Sequence, residues 1–186
     1  ATVCVAATNG FAQTYSGSHY SLSASVLAGE GTGMERDYDY TGAVYADDLM
    51  SPEEVGTSAG EKAVKRLNPQ KAETAQVPVI YDPRVSRGIV MHLASAINGS
   101  SVARDTSFLK DKMGEQVFPA GTTIYDDPHR ARGLRSKPFD GEGVANQKRK
   151  IIEDGVLTTW ILDLRSSRQL GLETTGHASR GTGSPP

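Results

Sequence analysis

The sequence predicts an α+β fold: an antiparallel β meander with one capped helix, then a second mixed β domain that opens with a strand–helix unit. Three observations predict it. Asn9-Gly10 and Asp154-Gly155 each stand between β-rich runs, and both read as two-residue hairpin turns. "HYSLSASVLAG" alternates with period two, so Tyr20, Leu22, Ala24 and Val26 share one face. Helical periodicity is confined to a few segments that do not alternate regularly with strands.

The elements follow in order. Residues 3–50 read as the meander: "VCVAAT", "FAQTYSG", "HYSLSASVLAG", and a further pair of strands after the glycine turn "GEGTG". Ser51, Pro52 and Glu54 form a helix start, with Ser51 as N-cap and Glu54 closing a capping box. Val55, Ala59, Ala63 and Leu67 make its apolar stripe, with Val64 alongside, and Asn68-Pro69 ends it. "NPQKAETAQ" is polar and patternless. The division is therefore 1–70, a linker at 71–76, and 77–186. In the second part, "VPVIYD" (77–82) reads as a short strand, and Asp82 caps a helix from about 83 to 97. "TTIYDD", "RKII" and "VLTTWIL" read as strands, and "SSRQLG" as a helical turn closed by Gly171.

Composition narrows the function classes. The chain has 186 residues, 37% hydrophobic and 6% aromatic, with a net charge of −2. It is no general polyanion binder. No apolar run approaches membrane-spanning length and no signal peptide pattern is present. The single Cys4, read as a small core residue, gives no internal disulfide and fits a reducing, cytoplasmic location. Both ends look cut, so a fragment of a longer chain is expected, with open sheet edges that invite pairing with another copy.

The candidate sites are few. "GIVMHLASAINGSS" places His92 with Val85, Ile89, Leu93 and Ala96 along one helical stripe. The structural reading is a buried neutral histidine; the functional one is a metal ligand. A peptidase zinc helix needs a glutamate beside the histidine to take a proton from bound water, and Leu93 cannot. His19, His129 and His177 are distant in sequence from His92 and from each other, although a tertiary cluster of His92 with His129 or His177 stays open. "GEGTG" lacks the following helix of a phosphate loop, so a tight turn is expected. From Glu30 to Glu54 there are eight acidic residues and one arginine; from His129 to Lys150 there are seven Lys/Arg and two acids. In that basic run Arg130, Arg132, Arg135, Lys148, Arg149 and Lys150 could meet an acidic partner or a polyanion, but one aromatic and interrupting acids make a solvated loop the simpler reading.

The order of motifs adds to this. "MERDYDYT", "SPEEVG…RLNPQK", "PVIYDPRVSRGIVMHLASAINGSSVARDTSFL", "KPFDGEGV", "IIEDGVLTTWILDLRSSRQLGL" and "TTGHASRG" occur in one sequence. Together they resemble the PmbA/TldE branch of the TldD/PmbA family, over nearly the whole chain. The resemblance implies that 1–70 is the last part of the family's central domain and 77–186 the first part of its C-terminal domain. Its members are named as modulators of DNA gyrase and are associated with a zinc metallopeptidase. The TldD branch carries a His-Glu-x-x-x-His zinc helix, whose matching positions here are His92, Leu93 and Ile97; only His92 agrees. The third ligand position lies past residue 186. The resemblance thus implies a non-catalytic subunit that binds no metal itself. A TldD-like catalytic partner would hold the zinc and act on unfolded peptides. Two other readings stand beside it: a metallopeptidase in its own right that uses His92, and a gyrase- or nucleic-acid-interacting modulator that uses 129–150. Direct nucleic-acid binding and membrane association are not expected.

Overall fold

Ser51 shows how local chemistry starts this fold. In the computed structural model, which describes residues 1–181 and 183, its hydroxyl accepts from the Glu54 N–H while the Glu54 carboxylate accepts from the Ser51 N–H. That capping box holds the Glu54 carboxyl below its usual range. Helix α1 (Pro52–Lys65) follows, and buries Val55, Ala59 and Ala63. Val64 instead faces solvent at 59% exposure, because α1 has only one covered face.

The chain divides into two compact units. The first holds 17–79 with Ala1 and Arg132–Leu134; the second holds 2–16, 80–131 and 135–186. In the first unit β3 (Tyr20–Ala28), which follows β1 (Thr2–Ala6) and β2 (Ala12–Ser16) in the chain, pairs antiparallel with β4 (Glu35–Ala43). The register sets Leu22 opposite Thr41, Ala24 opposite Asp39 and Val26 opposite Asp37. Paired residues share a face, so the face that α1 covers carries two buried aspartates beside small apolar groups. Asp39 accepts from Ser58 and from Lys62, the latter at 2.7 Å, and Asp37 pairs with Arg66 at 3.4 Å. Tyr38 and Tyr40 stack on the opposite, exposed side. "GEGTG" forms a tight 3-10 turn at Gly31–Gly33 before a strand, not a phosphate loop. Tyr20 shares the predicted face but stays half-exposed at the strand end.

The expected single meander resolves into separate pairs. β1 (Thr2–Ala6) and β2 (Ala12–Ser16) form their own two-stranded ribbon, and β3–β4 form another. Only one strand follows the glycine turn, since the second stretch closes into a 3-10 turn at Ala46–Asp48. The β1–β2 loop is longer than the two-residue reading. Ala7 and Phe11 close it by a backbone hydrogen bond, with Gly10 at φ 91 and the Asn9 side chain accepting from the Phe11 N–H. Cys4 is exposed on this ribbon, not buried, because the ribbon buries little beyond its aromatic contacts. Phe11 and Tyr15 meet Phe139 edge-on at 5.2 and 5.3 Å.

The run "VPVIYD", which passes from the first unit into the second after Val79, forms no strand; Val77, Val79 and Ile80 are exposed, with no ladder partner among the described residues. Asp82 caps α2 (Pro83–Ala96) by accepting from the Arg84 N–H, as expected. Asn98 caps α3 (Gly99–Ala103). β5 (Ile124–Asp126), β6 (Arg149–Glu153) and β7 (Val156–Leu157) form one antiparallel sheet in the order β5-β6-β7. Asp154 and Gly155 at φ 50 and 83 make the two-residue hairpin between β6 and β7. α4 (Leu164–Leu170) ends at Gly171 in the left-handed conformation. Leu93, Ala96, Ile97, Ile151, Ile152, Leu157, Trp160 and Leu162 lie in its core. The chain's last stretch, 182 and 184–186 of the expected Gly/Ser/Pro-rich loop, lies outside the described residues.

Candidate functional site: the end of α2

The second half of α2 is where the sequence placed its sharpest question. The helix buries Leu93 and Ala96, and Ile97 at its C-cap is only 1% exposed. Val85, Ile89, Val90 and Met91, one to two turns earlier, are exposed. His92 is exposed too, so the buried-histidine reading fails. Only the last turns of α2 meet the core, and His92, on the same stripe as Leu93 and Ala96, stays exposed beside the covered part. The Asn-Gly pair behind the helix acts differently from a simple stop. Asn98 accepts from the Ser100 N–H to start α3. Gly99 is required by close packing: a Cβ there would lie 2.5 Å from Ser166 Oγ and 2.6 Å from a Leu162 methyl. Backbone hydrogen bonds join Gly99 to Ile161 and Ile161 to Ile97, and lock the end of α2 against residue 161.

A half-open cleft of about 140 Å³ lies beside this helix end. Val90, Leu93, Ala94 and Ile97 of α2 line it with Ile124, Tyr125 and Asp126 of β5, Ile151, Ile161 and His177. His177 Nε2 sits 3.0 Å from an Asp126 carboxylate oxygen, and its Nδ1 sits 2.9 Å from Thr175 Oγ1. Thr175 Oγ1 in turn accepts from the Leu162 N–H at 2.7 Å. The histidine is thereby fixed by two partners. His177 lies in a Gly/Ser loop, and its pairing with Asp126, 51 residues away, leaves no local signal in the sequence.

A zinc site does not fit here. Leu93 and Ile97 carry no donor atoms and are packed into the core, and His92 is the one donor of the three, exposed on α2. Among the described residues, no three His, Cys, Asp or Glu side chains gather closely enough to hold a metal ion. His129 lies in an exposed loop and His19 just before β3, and among the described residues His92 joins neither His129 nor His177 in a cluster of three or more such side chains.

The basic run disperses its charges. Arg132 pairs with Asp48 at 2.6 Å and lies over the Tyr45 ring. Lys148 pairs with Asp127 at 2.9 Å, which holds that carboxyl below its usual range, and lies over Tyr125. Lys150 pairs with Glu153. Arg149 buries its Nε without a hydrogen-bond partner among the described residues, while Arg130 and Arg135 are exposed. No helix is long and apolar enough to cross a membrane among the described residues.

Comparison with known proteins bears on this geometry. A family model described as the PmbA/TldA metallopeptidase C-terminal domain matches residues 74–186, and one described as the central domain matches 1–67. The chain is 45% identical to the metalloprotease PmbA of Escherichia coli O157:H7 over 170 residues, 91% of this chain and 38% of that protein. The crystal structure of a putative modulator of DNA gyrase from Bacteroides thetaiotaomicron superposes with a TM-score of 0.87 at 31% identity, and covers 92% of this chain and 39% of that one. TldE from Thermococcus kodakarensis shares the fold, with a TM-score of 0.79 at 24% identity over 95% of this chain and 40% of that one. The chain thus spans about two fifths of the length of these relatives. Two family models that together cover residues 1–67 and 74–186 establish that this chain belongs to the PmbA/TldD metallopeptidase family.

Proposed function

We propose that this chain is the non-catalytic, PmbA/TldE-type subunit of a TldD-type zinc metallopeptidase complex that processes unfolded peptides in the cytoplasm. The observation that carries this reading is the burial of Leu93 and Ile97, 5% and 1% exposed. The family's catalytic positions are here spent on core packing. Leucine cannot take a proton from a water, and isoleucine cannot bind a metal. The zinc and the general base then come from the partner, and this chain contributes scaffold and part of the surface that holds the peptide. Zinc content and peptide cleavage of the full-length protein, measured alone and with a TldD-like partner, test the reading. The expected result is cleavage only with the partner present. Stoichiometric zinc together with cleavage by the protein alone sinks it.

A further inference from the structure

The cleft beside α2 has the features of a side-chain subsite. Its walls are aliphatic: Leu93, Ala94 and Ile97 on one side, Ile124, Ile151 and Ile161 on the other. The polar residues at its end, His177 and Asp126, already satisfy each other at 3.0 Å, so an apolar occupant strands no buried donor there. Its volume of about 140 Å³ is near that of the ~150 Å³ engineered apolar cavity that stays dry and binds benzene. β5 forms its rim and is the outer strand of the β5-β6-β7 sheet. No strand pairs with the outer edge of β5 among the described residues. An open strand edge beside an aliphatic pocket is the arrangement by which extended peptides are bound: backbone hydrogen bonds hold the strand, and the pocket selects a side chain.

We propose that this cleft takes one aliphatic side chain of an extended polypeptide lying along β5. The inference rests on the peptide-holding role assigned above and names the residue class that this chain selects. Asp126, with its carboxylate 40% exposed at the rim, disfavours an acidic residue in the same place.

The test uses the 186-residue chain with ¹³C-labelled Ile, Leu and Val methyl groups. The probes are acetyl-Ala-Ala-Leu-Ala-Ala-amide and the same peptide with Asp at its centre. The leucine peptide is expected to shift the Leu93, Ile97, Ile124, Ile151 and Ile161 methyls saturably, and the Asp peptide to bind at least about tenfold more weakly. Val90→Asp, at a half-exposed rim position, and Ala94→Phe, which fills the cleft, should each abolish the shifts while the remaining methyl spectrum is kept. Absent shifts, equal affinity for the two peptides, or unchanged binding in both variants overturns the proposal. So do peptide-free, concentration-dependent shifts of the same methyls, which place a second copy in the cleft. Zinc-dependent cleavage by the protein alone would remove the non-catalytic role and leave these shifts standing, so the two failures are distinguishable.

Discussion

Replacing Asp39 with Asn tests whether a charge, and not packing, joins α1 to its sheet. Asp39 is 9% exposed and accepts from Lys62 and Ser58 on α1. The hydrogen bond from Lys62, followed by that from Ser58, lowers its carboxyl from 3.8 to about 2. At about 1.4 kcal/mol per tenfold change in proton affinity, that corresponds to about 2 kcal/mol. Lys62 remains 29% exposed, and solvent screening reduces the expected contribution to about 1–2 kcal/mol. The sign follows from the depressed value. The stabilisation is complete above the unfolded-state value near 4, and is lost as pH falls from there toward 2. Urea unfolding of wild type and Asp39→Asn, followed through the Val55 and Ala59 amide resonances, reads this unit directly. The variant should be about 1–2 kcal/mol less stable at pH 7, and the two curves should converge near pH 2. A gap that persists undiminished at pH 2 would refute the electrostatic account.

Three further outcomes follow from the same structure. Ser51→Ala removes one half of the capping box and should cost about 1 kcal/mol, with faster amide exchange in the first turn of α1. Gly155→Ala should cost about 1–3 kcal/mol by thermal unfolding, because residue 155 sits at φ 83 and a Cβ there would lie 2.3 Å from the Phe118 carbonyl oxygen. Introducing Leu93→Glu and Ile97→His, the residues that the resemblance implies for a zinc helix, should lower stability by at least about 2 kcal/mol and bind no stoichiometric zinc by elemental analysis, since both polar groups enter the core without partners.

What the sequence disclosed depended on range. Ser51, Asp82, Asp154-Gly155 and Gly171 act on backbone within a few residues, and each does in the structure what its chemistry predicts. Which face of an element is covered is decided by partners far away in the chain. Val64 and His92 sit on helices whose periodicity is clear, but how wide a stripe is covered depends on what packs there. The apolar run at 77–82 has strand composition yet no neighbouring strand among the described residues, and a strand needs one. At the site, Leu93 belongs to the apolar stripe that periodicity marks on α2, and the core takes it. The His177–Asp126 pair is not legible in the sequence, because only the folded sheet brings a late loop to β5.

The hairpin β1–β2 has a consequence for any attempt to divide the molecule. It opens the chain, yet it packs with the second unit, where Phe11 and Tyr15 cover Phe139. Arg132–Leu134 makes the reverse exchange and supplies the first unit with its partner for Asp48. A shortened protein starting at residue 77 would lose the aromatic cover of Phe139. One stopping at residue 76 would leave Asp48 without its guanidinium. Each half of the sequence lends a piece to the other, so no single cut in the sequence yields both units with all of their residues.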